Sequence, residues 1–182
     1  VRGMPDLSFY PESVLKERAF TNPVSFGQAH QGEIARLVDL ADLSLLPYEE
    51  AREGIASAFQ SDDPVELYWA LIVCSCFGRE ANEFYSLARG LCSHDHLLVR
   101  TRAAEFLGLT GMLNPVLVLL KALEESKDAI EALLILNSVV LLRDGRPAYA
   151  FDLSKLELAE EVAEDSQVQR RLDYLVPGTT KP

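Results

Sequence analysis

The residues whose types suit catalysis are few, and their spacing works against it. Nucleophilic catalysis needs a base, most often His, within reach of a Ser or Cys, and this chain has three His: His30, His94 and His96. His30 stands at the start of a helical stretch, while His94 and His96 flank Asp95 on a turn. With Cys92 just upstream, His94-Asp95-His96 offers imidazole, carboxylate and thiolate, groups that suit zinc. The segment reads instead as a solvated turn with Asp95 bonding nearby backbone. Cys74 and Cys76 are two apart in a helical stretch, so they point about 200° apart around it and cannot pair with each other. All three cysteines read as small buried hydrophobes; Cys76 meets Cys92 only if the next helix folds back. The carboxylate pairs Glu49-Glu50, Asp62-Asp63, Glu124-Glu125 and Glu160-Glu161 fall where helix ends and exposed faces are expected. Acids near a helix N-terminus complement its dipole, a simpler role than a glycosidase pair. No glycine-rich run precedes a helix to cradle phosphate. The expectation is a chain with no catalytic residue, no cofactor and no metal.

Binding is better provided for. Tyr68-Trp69 is an aromatic pair that could anchor a partner or stack on a sugar. Consecutive helix positions face about 100° apart, so one of the two belongs to the core, and Trp69 reads as the core filler. Arg100 and Arg102 are paired basic residues suited to a carboxylate or sulfate; the competing role for Arg100 is an ion pair with an acid of a neighbouring repeat.

The formal charge is −11 and hydrophobic residues make up 48% of the 182 positions. An acidic chain without a Lys/Arg cluster repels a phosphate backbone and an anionic lipid surface, which argues against nucleic acid and membrane as partners. No apolar run approaches the roughly 20 residues of a spanning helix. A chain of this length buries about 70% of its unfolded surface and needs no metal or disulfide staple. The start at Val1, with no initiator Met and no leader-like apolar segment, suggests a piece of something longer.

The elements that would position these residues are helices. Residues 1–29 read as an extended arm, Met4 to Pro11, followed by a short helix to about Ala19. Residues 30–60 form a first hairpin, with an apolar stripe Ile34, Leu37, Val38, Ala41 and Leu45 on one helix and Ala51, Ile55, Ala58 and Phe59 on the next. Residues 61–145 hold an internal repeat. Asp63-Pro64 opens an apolar helix that stops at Phe77-Gly78, and a second helix, about Glu80 to Leu91, returns. Leu98 to Gly108 and the helix from Asn114-Pro115 to about Leu123 repeat this logic; a third copy runs from Asp128 to Asp144-Gly145. Val65 and Val99 are 34 residues apart, and Val99 and Ile130 are 31 apart. Periods of this size belong to hairpins that must stack to bury their apolar faces. Arg146 to Asp152 then reads as an extended crossing, and Leu153–Val162 and Val168–Leu175 as capping helices within 146–176. The expected fold is all-α: a single domain folded as an α-α superhelix.

In the second copy, Val99-Arg100, Ala103-Ala104 and Leu107-Gly108 resemble a short HEAT-like repeat, a helical-hairpin solenoid unit. Beyond that, Met4 to Phe9, Phe26-Gly27-Gln28, Asp39 to Leu46, Tyr68 to Leu71, Glu131 to Asn137 and Leu141 to Gly145 look like the C-terminal helical extension of bacterial sulfatases of the arylsulfatase type. The family's formylglycine motif, Cys/Ser-x-Pro-x-Arg, has no counterpart around Cys74, Cys76 or Cys92, where the residue two places on is never Pro. What the resemblance implies is an accessory domain without the enzyme. It would dock on a sulfatase core in the same parent chain, or hold a sulfated polysaccharide through Arg100, Arg102 and Arg143, in the periplasm or outside the cell. The alternative is a free-standing scaffold that binds another protein along its groove.

Overall fold

The structure, a computed structural model, describes residues 31–176. The expected arm from Met4 to Pro11, the helix to Ala19 and the tail after Pro177 lie outside the described residues. Among those described there is no strand; every regular element is a helix. They fall into two compact units, one ending at Cys76 and one running from Phe77.

The first unit holds α1 (Gln31–Asp42), a 3-10 turn (Leu43–Leu45), α2 (Tyr48–Ala58) and α3 (Pro64–Phe77). The turn packs on both α1 and α2. In α2 the expected stripe is the buried one, Ala51, Ile55, Ala58 and Phe59. In α1 it is not. Leu37 and Leu40 are buried, whereas Val38 is 48% and Leu45 79% exposed; the helix is rotated so that spacing three, rather than the 37–38 pair, faces inward. At α3 the Asp63 carboxylate accepts from the Val65 N–H at 2.9 Å, capping a helix whose first residue is Pro64. Arg36 of α1 pairs with Asp63 at 3.0 Å and with Glu66, tying α1 to the start of α3.

The second unit is built around α5 (Leu97–Thr110), which packs against α4 (Tyr85–Leu91), α6 (Val116–Glu125) and α7 (Ala129–Asp144). Because neighbours surround it, α5 is buried on nearly every side, from Leu98 and Val99 through Phe106 and Leu107 to Thr110. Such a helix has no amphipathic stripe to read. Its buried hydroxyls return to its own turns, Thr101 to the Leu97 carbonyl and Thr110 to that of Phe106.

The expected return helix from Glu80 to Leu91 is broken. Gly78–Phe84 is a 3-10 segment with Ala81 out of helical geometry, and only Tyr85–Leu91 is α-helical. Ala81, Phe84 and Ala88 are still buried as one face. Gly108 does not end α5. The helix stops at Gly111, which is left-handed (φ 76°), and the Met112 N–H reaches back to the Leu107 carbonyl at 2.8 Å, a C-cap for which glycine is suited. Gly108 serves packing: a Cβ there would stand 2.9 Å from both Leu142 Cδ2 and Pro115 Cγ. That close approach seats α5 against α7 and the start of α6.

Asp128 caps α7 by accepting from the N–H groups of Ile130 and Glu131. The chain then crosses without helix through residues 146–159, and the Tyr149 hydroxyl donates to the carbonyls of Gly108 (2.8 Å) and Leu113 (3.3 Å). The expected helix over Leu153–Val162 is reduced to the single turn α8 (Glu160–Ala163); α9 (Ser166–Leu175) forms as expected, packing on α7.

Candidate functional site

Within the second unit, the end of α4, the first turn of α5 and the outer side of α6 leave a cleft of about 300 Å³, lined by Cys92, Ser93, Arg100, Leu117, Val118 and Lys121. Each element delivers its residues for a local reason. Cys92 closes α4 as its C-cap, with its N–H on the Ala88 carbonyl. Arg100 is the one position among Leu98 to Thr101 that is not buried. Leu117 and Lys121, four apart on α6, share a face; Leu117 is 80% exposed.

Arg100 Nη2 donates to Glu125 at the end of α6, and Lys121 Nζ lies 3.6 Å from the same carboxylate. The hydrogen bond from Arg100 is the main reason that the Glu125 carboxyl is held below its ordinary range, with the charges of Arg100 and Lys121 adding to it against partial desolvation. The acid partnered by Arg100 therefore belongs to its own hairpin rather than to a neighbouring repeat. Arg100 Nε is buried and meets no acceptor. Arg89 adds a third positive charge close enough to act on the Cys92 thiol, while donating to the Met112 carbonyl at 2.8 Å. Burial outweighs that charge and pushes Cys92 up to about 11. The thiol is protonated at neutral pH and lines the cleft as a neutral group.

The other candidates lie elsewhere. Tyr68 and Trp69 meet edge to face at 6.3 Å on α3, but it is Tyr68, 3% exposed, that enters the core, and Trp69 is only half-buried; the core filler is the reverse of the one expected. Arg102 turns inward: its Nη1 donates to Glu105 Oε2 at 2.7 Å, and the Ser138 hydroxyl of α7 donates to the same oxygen. Arg143 pairs with Asp144 through two nitrogens, donates to the Tyr174 carbonyl at 3.0 Å and lies 4.5 Å above the Tyr174 ring, whose hydroxyl closes the loop onto Asp144 at 2.9 Å. So of the three arginines only Arg100 reaches the cleft. His94 Nδ1 accepts from the His96 N–H at 3.0 Å, and all three cysteines are free thiols, of which Cys74 is buried as expected whereas Cys92 is half-buried and Cys76 exposed. Among the described residues no group of three His, Cys, Asp or Glu side chains stands together to hold a metal ion, and no helix is long and apolar enough to cross a membrane. Compared with family models, curated proteins and solved structures, the chain matches none.

The Arg143–Asp144–Tyr174 clasp carries a pH prediction. The hydrogen bond from Arg143, and after it the one from Tyr174, hold the Asp144 carboxyl below its ordinary value. An acid with a lowered folded pKa contributes stability above the unfolded value, about 3.9 for Asp, and loses it as pH falls through the folded value. The amides of α9 are therefore expected to keep their protection against hydrogen exchange at neutral pH and to lose part of it below about pH 4. Asp144→Asn should lower that protection at neutral pH and remove the acid step. An α9 equally protected at all pH values in both proteins would show that the clasp does not hold it.

Proposed function

We propose that this chain is a non-catalytic helical-repeat module, a segment of HEAT-like α-solenoid, that works by packing on a protein partner. The observation that carries this reading is the outer stripe of α7. Ile130 is 49% and Leu141 46% exposed, and Leu133 and Val140 are half-buried between them. Positions at these helical spacings lie on one side, while the other sides of α7 rest on α5, α6 and α9. In a stack of hairpins each unit hides the apolar face of its neighbour. This partly exposed side, aliphatic at Ile130, Leu133, Val140 and Leu141 with Asn137 among them, is the face that a further hairpin or a partner domain would cover.

The sulfatase resemblance suggests which partner: a catalytic domain in the same parent chain, with this segment as the C-terminal part of a bacterial sulfate ester hydrolase. Its support is the likeness carried by Asp39 to Leu46 and Glu131 to Asn137. The alternative, a free-standing scaffold, draws on the α7 stripe alone. The expected result is that the purified chain turns over no aryl sulfate but binds a sulfatase catalytic domain. Ile130→Glu with Leu141→Glu should abolish that complex while leaving far-UV circular dichroism unchanged. Unchanged binding by the double variant would remove the stripe as the contact face; absence of binding by the parent chain would leave the scaffold reading; hydrolysis of aryl sulfate by the chain itself would end the non-catalytic one.

A further inference from the structure

We infer that the cleft between the end of α4 and α6 binds a small amphipathic carboxylate, with Arg100 and Lys121 taking the anionic group and Leu117 and Val118 a short aliphatic chain. This goes beyond the module reading and does not depend on it. Two observations converge on that ligand. The first is size: about 300 Å³ lies at the lower end of ligand pockets, right for a small molecule or one terminal side chain rather than a folded surface.

The second is local charge. In a chain of net charge −11, Arg100 and Lys121 both line one cleft, and the acid bonded to Arg100 is Glu125. Glu125 shows that the site accepts a carboxylate, and it is held there by Arg100 while staying reachable from solvent. It sits in the last turn of α6, where the helix dipole disfavours an anion, and its side chain is 40% exposed. An external carboxylate can take its place on Arg100 while Glu125 swings into water.

The Arg100 side chain is only 13% exposed, and a guanidinium offers donors in a planar fork that a carboxylate can engage with both oxygens. The flexible Lys121 side chain, 70% exposed, is able to follow the headgroup. Leu117, almost fully in water on the cleft wall, supplies the apolar contact that favours a carboxylate with a tail over acetate or inorganic anions.

The test is titration of the ¹⁵N-labelled full chain, followed by NMR, with hexanoate and with N-acetylleucine, and with hexanol and hexyltrimethylammonium as controls. Saturable shifts confined to residues 92–93, 100 and 117–121 are expected for the carboxylates and not for the controls. The tighter binder of the two tells a free aliphatic acid from a peptide C-terminus. Lys121→Gln should weaken hexanoate about tenfold, the worth of one charge-assisted contact, and Glu125→Gln, which removes the internal competitor, should strengthen it by a similar factor. Both substitutions lie on exposed side chains, so the fold is retained. Absence of saturable shifts with either carboxylate, equal binding of hexanol, or identical affinity in both variants would overturn the inference.

Discussion

Replacing Phe106 with Ala is expected to lower the stability of the unit from Phe77 onward by about 3–5 kcal/mol. Phe106 is fully buried at the centre of α5, with its ring 5.4 Å from that of Tyr85 in a tilted contact. Around it α4, α6 and α7 all pack on the same helix, so the cavity left by truncation has few ways to collapse. The loss then contains the transfer term and most of the cavity term, and set against a typical domain stability of about 5–15 kcal/mol it removes a large share. Urea denaturation followed by far-UV circular dichroism, with hydrogen exchange at the amides of α5 and α7, measures it. Because the chain has two compact units, a single two-state fit is not the right readout; the exchange data assign the loss to its unit. A change below about 1 kcal/mol, the range of ordinary surface substitutions and mild core swaps, would mean that α5 is not the enclosed centre.

The second large effect is expected at Glu105, whose side chain is 6% exposed and holds Arg102 and the Ser138 hydroxyl. Glu105→Leu deprives the largely buried Arg102 guanidinium of its carboxylate and should cost about 3–5 kcal/mol, as should Arg102→Met, which leaves the carboxylate buried without its cation. The double variant is expected to return to within about 1 kcal/mol of the parent, because an apolar pair of similar volume needs no charge desolvated. The double-mutant cycle then shows strong coupling. Simple additivity of the two single losses would mean that the ion pair is solvated rather than part of the α5–α7 contact. The same geometry explains why Arg102, attractive as a ligand-binding residue beside Arg100, is not one: two positions along a helix turn the side chain toward the opposite side, here toward α7.

The sequence by itself determined what depends on neighbours along the chain. The all-helical character and the cap at Asp63 follow from residues within a turn of each other, and so do the buried positions of α2. Those features read correctly because capping and periodicity are local. Tertiary structure decided the rest. Val38 and Leu40 are equally apolar, and only the packing of α1 against the turn at Leu43–Leu45 chooses which faces inward. Gly108 and Gly111 are both plausible helix ends; the contact of α5 with Pro115 and Leu142 assigns one to close packing and the other to the cap. Nor could the cleft be read from a list of residues. Arg100 and Lys121 are 21 residues apart in an acidic chain and lie on different helices. They form one site only because α4 and α6 both dock on α5, and it is long-range apolar burial, which no local pattern encodes, that sets that arrangement.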